Sequence, residues 1–148
     1  MLGTPTNYSR GMANILVIED NRSVQTLLQE LFESRGHEVT IADNGSDGLA
    51  CAKESSYDLI VTDIVMPHKS GIEIIAELRR RFRKKARIIA ISGGNPQYVQ
   101  AHLENARISG ADIVLPKPFT NQQLLAAAAQ LLQSHPSDQS SSAEHSRT

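Results

Sequence analysis

The sequence has a single cysteine, no apolar run of membrane-spanning length and almost no net charge, and each shortage closes off a class of function. Cys51 cannot form an internal disulfide, and it falls on the apolar stripe of a predicted helix, so it reads as a small buried hydrophobe rather than a redox thiol. The apolar stretches stop short of the ~18 residues of a membrane span, and the opening MLGTPTNYSRG lacks the apolar core of a signal peptide. A cytoplasmic protein is expected. A formal charge of −1 creates no overall field to gather nucleic acid or an anionic membrane, so neither is expected as a partner. What 148 residues leave room for is one domain with tails, large enough to bury roughly two-thirds of its unfolded surface.

The informative stretch is YDLIVTDIVMP, residues 57–67, in which the apolar run Leu59-Ile60-Val61 halts at Thr62-Asp63. An apolar run without alternation reads as a strand buried on both faces, which puts the Asp63 carboxylate where that strand leaves its sheet. Three other runs end in the same way. Ile15-Leu16-Val17-Ile18 stops at Glu19-Asp20, Ile88-Ile89-Ala90-Ile91 at Ser92-Gly93-Gly94, and Ile113-Val114-Leu115 at Pro116-Lys117-Pro118. If these strands are parallel, three acids, a hydroxyl and an amine converge on one rim of the sheet, where open α/β sheets receive their ligands.

The segments between the runs carry helical spacing. Val24, Leu27, Leu28, Leu31 and Phe32 share one face of a helix that closes near Gly36, and Asn44 opens another through Leu49, Ala50, Ala52 and Lys53. A short strand over 37–42, carrying Val39 and Ile41, lies between them. Ser70-Gly71-Ile72-Glu73 is a capping box ahead of Ile74, Ile75 and Leu78. That helix runs into Arg79-Arg80-Arg81-Phe82-Arg83-Lys84-Lys85, read as a solvated helix end whose cations complement the dipole rather than as a nucleic-acid patch. A helix over 97–108 ends near Gly110 and has the weakest pattern, with Val99, Leu103 and Ile108 diluted by polar residues, so it is the helix best suited to move. Thr120-Asn121-Gln122-Gln123 caps a last helix with the apolar face Leu124, Leu125, Ala128, Leu131 and Leu132. Residues 1–12 are expected to be a flexible lead-in and 134–148 a disordered polar tail. Five strands alternating with five helices over 13–133 predict a three-layer αβα domain with a parallel sheet, and leave the strand order open.

Carboxylates held together repel by about 1 kcal/mol per pair in water and about 4 at the reduced dielectric near a protein surface. A hard divalent cation offsets this, and a few carboxylates that leave coordination sites for water and phosphate oxygens suit Mg²⁺ better than Ca²⁺. None of the five histidines, His37, His68, His102, His135 and His145, lies at a strand end among the acids, which argues against transition-metal chemistry. With a metal in place, Asp63 can act as an oxygen nucleophile toward phosphorus. Lys117 then offers a compact positive charge, and Ser92 a hydroxyl donor, to the phosphoryl oxygens. Asp20 has a plainer reading as the N-cap of the first helix, and Ser92 as a turn-former.

Ile18-Glu19-Asp20, Thr62-Asp63 with Met66-Pro67 and Gly71 downstream, Ser92 after the fourth strand, and Lys117-Pro118-Phe119 after the fifth together resemble the receiver domain of two-component response regulators, across about 13–133. The resemblance implies the flavodoxin-like strand order 2-1-3-4-5. It implies phosphorylation of Asp63 from a phosphohistidine on a sensor histidine kinase or phosphotransfer protein, with Mg²⁺ held by Asp20, Asp63, Glu19 through water and the backbone carbonyl of Val65. A cis Lys117-Pro118 peptide is also implied. Two departures stand out. The family's switch aromatic is Val114 here, and the segment from Ser92 to Lys117 is a few residues longer than usual, so an atypical output movement is expected.

Other functions compete. An aspartyl-nucleophile phosphohydrolase of the haloacid dehalogenase-like kind places a second acid two residues past its nucleophile, where this chain has Val65. A degenerate receiver that only binds partners would not need the full set of acids. With fewer than twenty residues after the last helix, a stand-alone, chemotaxis-type single-domain receiver signalling by protein contact is expected, with its downstream target unspecified.

Overall fold

Each of the four apolar runs forms a strand, and the 38–42 segment supplies the fifth. The computed structural model describes residues 12–65, 70–82, 86–93 and 96–133. In chain order the elements are β1 (Asn14–Ile18), α1 (Arg22–Glu33), β2 (Glu38–Ala42), α2 (Gly45–Glu54), β3 (Leu59–Asp63), α3 (Gly71–Phe82), β4 (Arg87–Ser92), α4 (Pro96–Ser109), β5 (Ile113–Pro116) and α5 (Asn121–Gln133). Every neighbouring pair is parallel, in the order β2-β1-β3-β4-β5 that the resemblance implied. The 134–148 tail, the 1–12 lead-in apart from Met12, Met66-Pro67, Gly94-Asn95 and the basic residues 83–85 lie outside the described residues.

Because helices cover both faces of the sheet, alternation is hidden in composition but plain in packing. Leu16, Ile18, Ile60, Ile88 and Ala90 pack with Ala52 of α2, Ile74, Ile75 and Leu78 of α3, and Ala106 of α4. Ile15, Val17, Leu59, Val61, Ile89 and Ile91 point the other way, onto Leu28 and Phe32 of α1 and Leu124, Ala127, Ala128 and Leu131 of α5. At about 1.5–3 kcal/mol for each large aliphatic side chain buried, these two layers hold the strand ends in fixed register. Three expected caps are present. Asn44 accepts from the Asp47 amide, Ser70 and Glu73 cap reciprocally, and so do Thr120 and Gln123.

Three expectations need correction and one, the α5 face, gains a residue. On α1, Leu27 is left 43% exposed while Gln25 takes a buried place. On α4, Ile108 is 82% exposed, and among the side chains described there the one buried in the core is Ala106, whose methyl is too small to register as an apolar anchor in the sequence; the Val99 side chain lies outside those described. That helix has 14 residues, more than any other described here, so it absorbs length between Ser92 and Lys117. On α5, Ala127 belongs to the core with Leu124, while Leu125 and Leu132 pack at its margin. Cys51 is half-buried against the α2–α4 layer, and burial pushes its thiol pKa up, in keeping with a hydrophobe.

The third correction concerns the basic run, which is not uniformly solvated. The Arg79 guanidinium is a clamp: Nε donates to the Gly110 carbonyl (2.8 Å), one terminal nitrogen to the Ala86 carbonyl (2.7 Å) and the other to Asp112 Oδ2 (2.6 Å). Asp112 in turn accepts from the Ile88 amide at 2.8 Å. Gly110 makes this possible twice over, because its φ of 124° disfavours a side chain and a Cβ there would press on the Arg79 stem. Arg80 and Arg81 instead fork onto Glu77 at the surface. Arg79→Met is expected to lower unfolding free energy by about 2–4 kcal/mol, since two carbonyls and a carboxylate lose a charged donor, whereas Arg80→Met should cost less than about 0.5. Urea denaturation of both variants checks this.

Candidate functional site

The carboxyl ends of β1, β3, β4 and β5 meet on one rim. At the end of β1, Glu19 is buried with its amide on the Ala42 carbonyl (3.0 Å), and Oε2 accepts from the Asn21 amide (3.0 Å). Asp20 is exposed and does not cap α1. Asn21 does, accepting from the Val24 amide at 3.1 Å, which leaves the Asp20 carboxylate free to face the rim. At the end of β3, Asp63 is only 5% exposed; Oδ1 accepts from the Val65 amide (3.0 Å) and Oδ2 from Lys117 Nζ (3.3 Å). One oxygen each of Glu19, Asp20 and Asp63 lies within 4.8 Å of the other two.

Ser92 closes β4 and is fully buried, so it is not a turn-former at the surface. Its carbonyl accepts from the Lys117 amide at 2.6 Å, and the Lys117-Pro118 peptide is cis. The Lys117 stem lies over Gly93, where a Cβ would come within 2.8 Å of the lysine Cδ. Gly71 has the same purpose at the start of α3, since a Cβ there would overlap the Asp63 carbonyl, and its amide donates to the Ile64 carbonyl at 2.9 Å. Val114 pairs in register with Ala90 and packs half-buried against the α2–α4 layer, in a place without an aromatic ring to swing.

Burial is the main cause that pushes the Glu19 pKa up to about 7. The Asn21 amide pulls it back, the Asp63 charge raises it further and Lys117 lowers it. Glu19 Oε1 and Ser92 Oγ are both buried without a hydrogen-bond partner. Unpaired buried oxygens of this kind cost on the order of 1–3 kcal/mol, so a site that leaves two of them is built for something to arrive. Three carboxylates with an orphaned oxygen among them fit a hard divalent cation, and the donor set, all oxygen, matches Mg²⁺ rather than a softer metal.

Two supporting residues were missed by sequence reasoning. One is Asn21, overlooked for Asp20 as the cap. The other is Gln25, whose amide nitrogen donates to the Glu19 carbonyl and to Asp43 Oδ1, both at 2.7 Å. A signal existed, because Gln25 is a polar residue at helical spacing with Leu28 and Phe32 on a face that is otherwise apolar.

Comparison with known proteins agrees with this geometry. The family model described as "Response regulator receiver domain" matches residues 15–129. Transcriptional regulatory protein CpxR of Klebsiella pneumoniae is 35% identical over 134 residues, which are 90% of this chain and 55% of that protein. Response regulator receiver protein Anae109_2439 of Anaeromyxobacter is 35% identical over 77% of this chain and 46% of its own length. The chain thus spans about half the length of the curated relatives it matches. Among solved structures, a response regulator receiver domain protein from Clostridium thermocellum superposes with TM-score 0.75 at 30% identity, covering 82% of this chain and 94% of that one. The chemotaxis response regulator CheY4 of Vibrio cholerae gives 0.72 at 26%, over 81% and 98%.

The raised pKa of Glu19 has a sign that can be measured. Between about pH 4.5, the ordinary value, and about 7 the folded protein binds more protons than the unfolded chain, so metal-free stability falls as pH rises through that window. The loss is on the order of 3 kcal/mol, fully present above pH 7. His37, whose pKa burial lowers, contributes an opposite slope below 6.5, and so the difference between wild type and variant is the quantity to follow. In chelator, Glu19→Gln should flatten the fall and be the more stable protein at pH 8, and added Mg²⁺ should raise wild-type stability at that pH and leave the variant little changed. Thermal melts from pH 5 to 8 decide it.

Proposed function

This chain belongs to the response regulator receiver family, and on that premise we propose that Asp63 accepts a phosphoryl group from a phosphohistidine on a sensor histidine kinase or a histidine phosphotransfer protein, in the cytoplasm. The observation that carries the proposal is the environment of Asp63: a nearly buried carboxylate with Lys117 Nζ at 3.3 Å and two further acids crowding it. An Asp63 oxygen attacks phosphorus, the bond from phosphorus to the donor imidazole breaks, and the imidazole takes up a proton as it leaves. The Val65 amide on Oδ1 and the Lys117 ammonium on Oδ2 hold the carboxylate in one orientation for that attack. Glu19, Asp20, Asp63 and the Val65 backbone carbonyl would hold Mg²⁺, which when bound supplies positive charge to the transferring phosphoryl oxygens.

After transfer, Ser92 Oγ and Lys117 Nζ are the donors for the new oxygens, and the unsatisfied Ser92 hydroxyl gains its missing partner. Charge-assisted contacts of about 1.5–3 kcal/mol each, made in one conformation and not the other, reach the roughly 5.5 kcal/mol that a swing from 1:99 to 99:1 requires. The chain is a phospho-switch over 13–133 rather than a turnover enzyme. Val65, 52% exposed, stands where a phosphohydrolase of the competing kind would carry its acid/base carboxyl. In the single-domain reading the signal leaves by contact with a partner protein at the α4 and α5 face. In the curated relatives named as transcriptional regulatory proteins, the matched segment makes up 55% and 53% of the protein. The Val114 position argues for an output movement without an aromatic flip.

Incubation with acetyl phosphate and Mg²⁺ tests the proposal. The expected result is a labile mass increase of one phosphoryl group, absent from Asp63→Asn and formed about a hundredfold more slowly in Lys117→Ala. Rapid multiple turnover of an external phosphate ester would instead favour a phosphohydrolase, and no modification at all would favour a module that only binds.

A further inference from the structure

Five polar or charged side chains are buried among the described residues: Glu19, Gln25, Thr62, Asp63 and Ser92. Gln25 is the one that stands outside the reacting rim, on the inner face of α1. Its Nε2 bridges two loops, donating one hydrogen to the Glu19 carbonyl (2.7 Å) after β1 and the other to Asp43 Oδ1 (2.7 Å) after β2. The Glu19 amide is already committed to the Ala42 carbonyl (3.0 Å), next to Asp43. The Glu19 residue is therefore gripped on both sides, by β2 through its N–H and by Gln25 through its C=O.

This grip addresses a specific problem. Glu19 and Asp20 repel Asp63, and the peptide that joins Glu19 to Asp20 is the hinge about which the two acids could splay apart. We infer that Gln25 is a positioning residue for divalent-cation binding: by anchoring that peptide to Asp43 it holds the Glu19 and Asp20 carboxylates within reach of Asp63. The inference rests on the metal-dependent reading of the rim given above. A glutamine suits the task because both partners are acceptors and its amide nitrogen carries two hydrogens; an apolar residue of the same length fills the space and loses both bonds.

Mn²⁺ binding to the full chain, followed by electron paramagnetic resonance of the free ion, reads this without any phosphorylation. Gln25→Met should weaken Mn²⁺ binding about tenfold at unchanged net charge. Asp43 is exposed, so its variants do not threaten the fold. Asp43→Asn keeps an acceptor oxygen and Asp43→Ala does not, at equal charge. Asp43→Ala should bind Mn²⁺ about threefold more weakly than Asp43→Asn. Competition by Mg²⁺ should show the same ranking. Affinities of Gln25→Met within twofold of wild type, and of Asp43→Ala within twofold of Asp43→Asn, would overturn the inference alone. Wild-type protein that binds no divalent metal would sink this inference together with the functional reading beneath it.

Discussion

Like charges brought together by strands that are remote in sequence are the constraint from which the rest of the molecule follows. Glu19 and Asp63 are almost out of water, Asp20 stands beside them, and their oxygens approach within 4.8 Å. Left to themselves these groups would separate into solvent, where their repulsion falls to about 1 kcal/mol per pair. They stay because Asp63 is the last residue of β3 and Glu19 and Asp20 are the first two beyond β1, strands pinned into the sheet, and because main-chain amides of Asn21 and Val65 donate to one oxygen each of Glu19 and Asp63. Local instability is concentrated at the rim and stability is supplied by two aliphatic layers beneath it.

The layers do more than supply energy. Parallel register places Ile18 beside Thr62, Asp63 beside Ile91 and Ser92 beside Pro116, so the strand ends step along the rim and present acid, acid, hydroxyl and amine in spatial succession. At the opposite end of the sheet the Arg79 clamp ties the exit of α3 to the entries of β4 and β5. One end of the open sheet is thereby fixed while the other carries the candidate site. Helix α4 lies between these regimes, burying Ala106 among its described side chains and presenting Ile108 to solvent.

Architecture was legible from the sequence because uninterrupted apolar runs and capping boxes are local signals that survive into the fold. The strand order was not, since nothing in a run such as Ile88-Ile89-Ala90-Ile91 names its neighbours; only the resemblance supplied it. At the rim, Asp63, Glu19, Asp20 and Lys117 were readable as residues that end buried runs and gain nothing by packing there, and the structure brings them together. What escaped notice depended on partners far away in sequence. Arg79 looked like one more cation in a basic run, and its role is set by Gly110 and Asp112. Gln25 looked like dilution of an apolar face, and its role is set by Asp43. Ala106 was invisible because a methyl carries little hydropathy, yet it is fully buried in the core beneath α4.

The hydrogen bond from the Lys117 amide to the Ser92 carbonyl, 2.6 Å long, yokes the tips of β4 and β5 at their backbones. The two side chains that greet an incoming group are thus hung on a single crossbar. That bond joins the residue that closes β4 to the one just past the end of β5, so neither donor stands on a strand end held by the sheet ladder alone. With Val114 in place of a ring on β5, this main-chain bond between the two strand tips is the direct tie between the residues that carry the hydroxyl and the amine.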